Sequence, residues 1–251
     1  MAQLPKTLEE AIAQAKEATQ AALDDGHRLL QVQLVFPEIA LQAQSIAQQF
    51  IPLFQSYGSG LKVFFPDTGA AALARRDWGE VPFKVSDVGS SRTSPEKKIE
   101  PEDEAFLVIS PSAVEVAQVE KMFNLAGDRP FVLLNPQMED ISIVGIGYSA
   151  RQMRDRFLNT IESCYYLKPL EGAAILRTYP SLWQVWQEIS DGEYQLITEE
   201  SQRPAGDELD QILSRQPTST TDETVGETPA PTPKKAGFLT NLQRFMRALS
   251  Q

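Results

Sequence analysis

Short, mostly apolar runs alternate along this chain with longer segments in which apolar residues recur every three or four positions. The runs at 28–36, 61–65, 105–109 and 131–134 have the length and β-branched or aromatic content of buried strands, with weaker instances at 82–85 and 141–146. The 3.6-residue period between them predicts helices over 38–55, 67–77, 112–124 and 151–161. A first helix opens on a capping box, Thr7 with Glu10, runs to about Leu23 and stops at Asp25-Gly26. A polar stretch from Gly89 to Glu104 interrupts the alternation and reads as a mobile surface loop.

Four apolar runs end on proline: Phe36-Pro37-Glu38, Phe65-Pro66-Asp67, Ser110-Pro111-Ser112 and Asn135-Pro136-Gln137. Proline has no N–H for a central strand, and its fixed φ suits a first helical turn, so each junction reads as a strand handing over to a helix. Repeated units of this kind favour a mainly parallel sheet with helices on both faces. Beyond Ser163 the pattern changes. Runs at 164–170 and 173–179 flank Glu171-Gly172, a tight hairpin turn, and further runs follow at Trp183 and at 193–198. These predict an antiparallel edge on the same sheet, closed by a short helix at 207–213. The expected fold class is therefore α/β, three-layered, with a mainly parallel mixed sheet of six to nine strands. Residues 1–213 form the domain, 214–236 a disordered linker and 237–251 an amphipathic helix.

The linker expectation rests on composition. Residues 216–233 hold one large apolar side chain, Val225, among Thr, Pro and Glu, too little to offset the entropy of ordering. The terminal helix rests on spacing. Phe238, Leu242, Phe245, Met246 and Leu249 share one stripe, with Arg244 and Arg247 mostly opposite. Four basic residues and no acidic one follow Pro233, within a chain whose net charge is −11. Such a helix suits an anionic membrane surface or a protein partner, or folds back onto its own acidic domain.

Charge and composition close off several classes. A net charge of −11 argues against binding nucleic acid through its phosphates. One cysteine, Cys164, excludes an internal disulfide, and with one histidine, His27, it excludes the common structural zinc sites. The uncharged stretch from Ile39 to Leu61 carries five glutamines and Pro52, so it reads as an amphipathic helix and not a membrane span. The chain opens without the apolar core of a secretory signal.

Three stretches resemble a known family: 63–78 (Val-Phe-Phe-Pro-Asp-Thr-Gly-Ala-Ala-Ala-Leu-Ala-Arg-Arg-Asp-Trp), 165–172 (Tyr-Tyr-Leu-Lys-Pro-Leu-Glu-Gly) and 177–186 (Arg-Thr-Tyr-Pro-Ser-Leu-Trp-Gln-Val-Trp). Together they look like a domain of unknown function of cyanobacteria and plastids, typified by the plant low-photosystem-II-accumulation proteins, over roughly residues 5–213. The resemblance implies a non-enzymatic auxiliary factor at the thylakoid surface, acting in photosystem II assembly or chlorophyll-protein insertion. Photosystem II subunits or the insertion machinery would be its partners, with no cofactor and no catalytic residues to carry over. Plant members have transit peptides. Their absence here implies a cyanobacterial protein, cytoplasmic and peripheral to the thylakoid.

Candidate chemistry is sparse. Asp67-Thr68-Gly69 follows a strand, where doubly wound sheets bind ligands, but Asp67 suits a helix cap equally well. The alternative function is accordingly a small-molecule-binding domain or enzyme using the strand ends near Asp67, Ser110 and Asn135. No phosphate-binding glycine motif is present. Arg75, Arg76, Trp78 and Trp183 are candidates for a partner surface, because Arg and Trp are enriched at interface hot spots. Trp183 and Trp186 are three apart and should face opposite sides of a strand. Cys164 reads as a small buried hydrophobe and His27 as a turn residue.

Overall fold

The computed structural model describes residues 3–90, 92–139, 147–190 and 192–214. In chain order its strands are β1 (Leu29–Leu34), β2 (Leu61–Phe65), β3 (Lys84–Asp87), β4 (Ala105–Ile109), β5 (Phe131–Leu134), β6 (Glu162–Leu170), β7 (Ala173–Thr178), β8 (Trp183–Ser190) and β9 (Glu193–Glu200). Its α-helices are α1 (Leu8–Asp24), α2 (Ala43–Phe50), α3 (Thr68–Trp78), α4 (Val116–Ala126), α5 (Tyr148–Arg156) and α6 (Gly206–Ser214). The strands form one sheet in the order β3-β2-β4-β5-β1-β6-β7-β8-β9, parallel from β3 to β6 and antiparallel from β6 to β9. The expected α/β class and the antiparallel edge are both present. The expected strand at 141–146, the linker at 214–236 and the helix at 237–251 lie outside the described residues.

Alternating side chains sort onto two faces. Leu30, Val32, Leu34, Val63 and Phe65 point into a core closed by α1, α2 and α3. Leu29, Phe64, Phe106, Phe131 and Leu133 point into a second core under α4 and the Phe157 end of α5. Strands covered on both faces are mostly apolar, and β2, β4 and β5 are buried at every position, with Lys62 of β2 the one charged residue among them. Helix α1 lies close to the sheet because Ala11, Ala15, Ala18 and Ala22 form its inner stripe, all fully buried. Its cap is built as expected on one side, with the Thr7 hydroxyl accepting from the Glu10 N–H at 3.1 Å. The Glu10 carboxylate reaches past the cap to the Lys6 N–H at 2.6 Å.

Three expectations need correction. The single helix expected over 38–55 is an eight-residue α2 flanked by tighter 3₁₀ segments at Pro37–Gln42 and Ile51–Gly60. Pro37 and Pro52 each stand in the first turn of a 3₁₀ segment, where proline is tolerated, so the chain restarts its winding at each. The apolar spacing survives the break, since Ile39, Ile46 and Phe50 are all buried. Helix α4 begins at Val116, not at 112, because Ser112 still pairs with Gln137 in a parallel bridge. Pro111 and Pro136 thus each precede a bridge, Ser112 with Gln137, that prolongs β4 and β5 past their ends.

The third correction concerns the stretch expected to be a mobile loop, whose residues 98–103 are built into the fold. Ile99 is buried in the second core, and Lys98 Nζ lies 3.0 Å from Asp87. The Arg129 guanidinium donates to the Glu100 and Asp103 carbonyls at 3.0 and 2.8 Å. The Asp103 carboxylate is fully buried, 3.2 Å from Lys62 Nζ and 2.9 Å from Lys84 Nζ. Polar composition did not mean mobility, because the charges are spent on one another.

At the antiparallel side, Glu171-Gly172 makes the two-residue turn between β6 and β7, with Gly172 at φ +65° supplying the left-handed step. Trp183 and Trp186 do face opposite sides. Trp183 is buried against Tyr166 and Ile175, while Trp186 packs partly buried against the first core. Among the described residues, no helix is long and apolar enough to cross a membrane.

Candidate functional site

Phe36 and Ile39, just beyond β1, pack with α2 in the first core, whereas the connection leaving β4 leads to α4, and Met138, just beyond β5, packs with α4 in the second core. β1 and β5 are neighbours whose chains thus depart to opposite faces, which opens a crevice at their carboxyl ends. A cleft of about 500 Å³ lies there. One wall is Gln33, Leu34, Val35 and Phe36 at the end of β1, continuing to Ile39 and Ala40. The other is Asn135, Pro136 and Gln137 at the end of β5. Amides and apolar groups make up this lining, with no ionisable side chain among the nine residues.

Asn135 is the keystone of the cleft. It is 7% exposed and holds φ +51°, a left-handed conformation that costs a non-glycine residue energy, while Asn tolerates it better than most. Two bonds fix it: its N–H donates to the Val32 carbonyl at 2.7 Å, and its Oδ1 accepts from the Leu34 N–H at 2.8 Å. The side chain thereby stands in for a strand partner just where β5 ends. Ser110, at the end of the adjacent β4, repeats the left-handed step at φ +46° and likewise precedes proline. Gln33 Nε2 donates to the Pro136 carbonyl at 3.3 Å, and its Oε1 is shielded from solvent with no partner among the described residues.

Asn135→Ala should destabilise the protein by about 2–4 kcal/mol, from an orphaned Leu34 N–H and an alanine held at positive φ. Asn135→Gly removes the same bond without the steric penalty and should cost ~1 kcal/mol less. Urea unfolding of both variants checks this, and equal losses would show that the φ angle carries no strain.

The residues singled out from sequence do not converge. Asp67 caps α3, its Oδ1 accepting from the Ala70 N–H at 2.9 Å, and Thr68 and Gly69 follow within the first turn. It stands at the end of β2, two strands away from the cleft. Arg75 donates to the Val85 carbonyl of β3 at 2.9 Å, and Arg76 pairs with its neighbour Asp77 at 2.7 Å. Trp78 is wedged between Phe65 and Phe83, with ring centroids 5.6 and 6.0 Å away. Trp183 is 6% exposed on β8, across the sheet, stacked under the guanidinium groups of Arg177 and Arg203. The two tryptophans therefore belong to opposite ends of the sheet, β2–β3 and β8. The terminal residues Phe238, Leu242, Arg244, Phe245, Met246, Arg247 and Leu249 lie outside the described residues.

Other reactive groups are structurally occupied. Burial pushes the Cys164 thiol up to about 12, and its Sγ sits 3.2 Å from the Gln31 carbonyl. Such a thiol is a poor nucleophile at neutral pH. Burial likewise raises the Tyr165 phenol, whose hydroxyl donates to Gln14 Oε1. His27 has partners that sequence did not reveal. The Tyr179 hydroxyl donates to Asp25 Oδ2 at 2.9 Å and lies 3.3 Å from His27 Nε2, and that carboxylate raises the phenol above its usual range. Among the described residues, no group of three or more His, Cys, Asp or Glu is placed to hold a metal ion.

Sequence reasoning named the Asn135 strand end but missed Gln33 and Gln137. Val35, Leu41 and Val114 are 38%, 91% and 71% exposed, and Val35 lines the cleft. The exposure of Leu41 was legible: it falls off the stripe of Ile39, Ile46 and Phe50, so an apolar residue there faces water. A family model described as a domain of unknown function, DUF1995, matches residues 5–211.

Proposed function

The chain belongs to this family of unknown function, DUF1995, and from that membership we propose a non-enzymatic auxiliary factor acting at the thylakoid surface, in photosystem II assembly or chlorophyll-protein insertion. The observation that carries the reading is the resemblance of residues 63–78, 165–172 and 177–186 to the low-photosystem-II-accumulation proteins, all three inside the matched range. These stretches become β2 with α3, the β6–β7 hairpin and the β7–β8 pair, so the resemblance falls on framework elements. Supporting it, the likeliest chemical groups have structural duties: Asp67 caps a helix and Cys164 is sealed in the core. A cleft whose nine lining residues include no ionisable side chain offers no group to transfer a proton.

Attachment to the membrane falls to the basic amphipathic stripe of Phe238, Leu242, Phe245, Met246 and Leu249. Segment 234–251 carries Lys234, Lys235, Arg244 and Arg247 and no acid, against 19 basic and 34 acidic residues in the rest of the chain. Eighteen residues with the composition of 216–233, taken as a flexible coil, would span roughly 20–25 Å, enough to separate membrane contact from partner contact. Flotation with anionic liposomes at low salt tests the attachment. The full chain should rise with the vesicles and a chain ending at Pro233 should stay below, whereas equal recovery of the two would remove the membrane from the proposal. Mass spectrometry of chains co-purified from solubilised thylakoids tests the setting, with photosystem II subunits or insertion factors as the expected companions.

A further inference from the structure

We propose that residues 237–251 dock as a helix on this chain's own sheet, across β8 and β9 beside α1, and that the membrane competes with the sheet for their apolar stripe. The inference deepens the auxiliary-factor reading and rests on it for the membrane side of that competition.

The helical layer on one face of the sheet stops short of the sheet's edge. On the face of the first core, α3 packs on β2 and β3, α2 on β4, and α1 on β1, β6 and β7, so α1 is the outermost described helix there. The sheet runs two strands further, to β8 and β9. On those strands Trp186 pairs with Leu196 and Glu188 with Tyr194, while Gln184 donates to Glu199 at 2.8 Å, which sets the side chains of this face next to one another. Trp186 packs against the first core only in part, and Leu196 beside it is 36% exposed. The opposite face is closed differently, with Leu209 of α6 against Tyr166, Ile175 and Trp183. An apolar strip left uncovered beside a packed helix invites one more element of the same layer.

The size and the charge of the uncovered lane match the chain's own terminus. Strands β8 and β9 have eight residues each, so the lane is roughly 26 Å long and, at two strands, about as wide as one helix. Fifteen residues, 237–251, make a helix of about 22 Å. Its stripe of Phe238, Leu242, Phe245, Met246 and Leu249 is the apolar surface that Trp186 and Leu196 lack. Residues 183–214 hold eight acidic side chains and one basic one, Arg203, which is already paired with Glu139 at 2.8 Å. Residues 234–251 hold four basic side chains and no acid. A second copy of β9 would bring Glu193, Glu199 and Glu200 against themselves, whereas the basic helix meets opposite charge.

The tether makes a weak contact sufficient. Ser214 ends α6 on these same strands, and the 22 residues 215–236 separate it from Gly237. Taken as a flexible coil they span roughly 25 Å, which holds the helix beside the lane at a local concentration on the order of millimolar. The stripe cannot face Trp186 and acyl chains together. Away from lipid the sheet shields it from water, and an anionic surface draws it off.

A synthetic peptide of residues 234–251 titrated into a chain ending at Pro233, read by calorimetry, tests the docking. Every described element lies before residue 215, so the shortened chain keeps the fold. Binding should weaken about tenfold in Leu196→Ser. Glu188→Gln keeps the acceptor for the Gly192 N–H and should weaken binding a few-fold at low salt only. Melting temperatures confirm that both variants are folded. In the full chain, the uncharged change Leu196→Ser should lower the anionic lipid needed for flotation about threefold or more, because the helix is no longer held. No heat at millimolar peptide, equal affinity for Leu196→Ser, or flotation of the full chain that this variant leaves unchanged overturns the proposal. A full chain that is dimeric by light scattering and monomeric after truncation also overturns it, by placing the helix on a second copy. Peptide binding with no flotation of either full chain would keep the docking and refute the membrane setting. Flotation without peptide binding would do the reverse.

Discussion

Asp103→Ala should lower the unfolding free energy by about 3–5 kcal/mol, the cost of breaking a buried ion pair from one side. The Asp103 carboxylate is wholly buried and the Lys62 ammonium is 6% exposed, with Oδ2 and Nζ 3.2 Å apart. The same oxygen accepts the Glu100 N–H at 2.8 Å, and the other oxygen meets Lys84 at 2.9 Å. Without Asp103, Lys62 keeps only Glu100, whose carboxylate is 42% exposed and shared with Lys84 at 2.7 Å. An ammonium left inside the sheet's end with a half-solvated partner is the expensive state. A second change, Lys62→Met, should therefore recover much of the loss in the Asp103→Ala background, since an apolar side chain suits the site once the carboxylate is gone. Urea unfolding of the single and double variants decides the matter. A single-variant loss below ~1 kcal/mol would mean that water screens the pair as it does on a surface.

Phe106→Ala should cost a similar amount, about 3–5 kcal/mol, for a different reason. The ring is fully buried in β4, near the centre of the parallel half. It sits between Phe64 and Phe131, with centroids 6.4 and 5.7 Å away, and the Arg129 guanidinium covers it at 5.1 Å. That guanidinium cannot swing in to fill the space. It is tied to the carbonyls of Leu125, Ala126, Glu100 and Asp103 at 2.7–3.0 Å. The hole left by the ring therefore stays open. Leu41→Ala, at 91% exposure, is the matched control and should change stability by less than ~0.5 kcal/mol. Thermal unfolding separates the two, and a small effect at Phe106 would show that the second core repacks freely.

What could be read in advance follows the physics of each element. Strands β4 and β5 stood out to the residue because a strand covered on both faces is apolar without interruption, and β2 did so with Lys62 as its one polar position. Strand β3 was placed two residues early, at 82–85, because as an edge strand it carries Lys84, Ser86 and Asp87 and lacks that signature. Helix 38–55 was misjudged because apolar spacing reports which residues are buried, not how tightly the backbone winds between Pro37 and Pro52. The ion cluster around Lys62 and Asp103 was invisible, since its members are 41 residues apart and meet only when β2 and β4 pair. The cleft had the same fate. Gln33 and Gln137 looked like ordinary polar residues until parallel pairing of β1 with β5 set two strand ends side by side.

The place of β1 also bears on how the protein is made. It is the first of the nine strands to leave a ribosome, yet it lies between β5 and β6, pairing Leu29 with Phe131 and Leu30 with Glu162. A nascent chain that has only reached α4 has no neighbour strand for β1. Local pieces such as the β6–β7 hairpin close quickly once made, whereas parallel strands joined through distant sequence close slowly. The alanine stripe of α1 and the apolar side of β1 thus wait until Phe131, 102 residues beyond its partner Leu29, has been made. During that interval the chain is a natural client for a holding chaperone, and its yield in a cell depends on that protection as much as on the stability of the finished sheet.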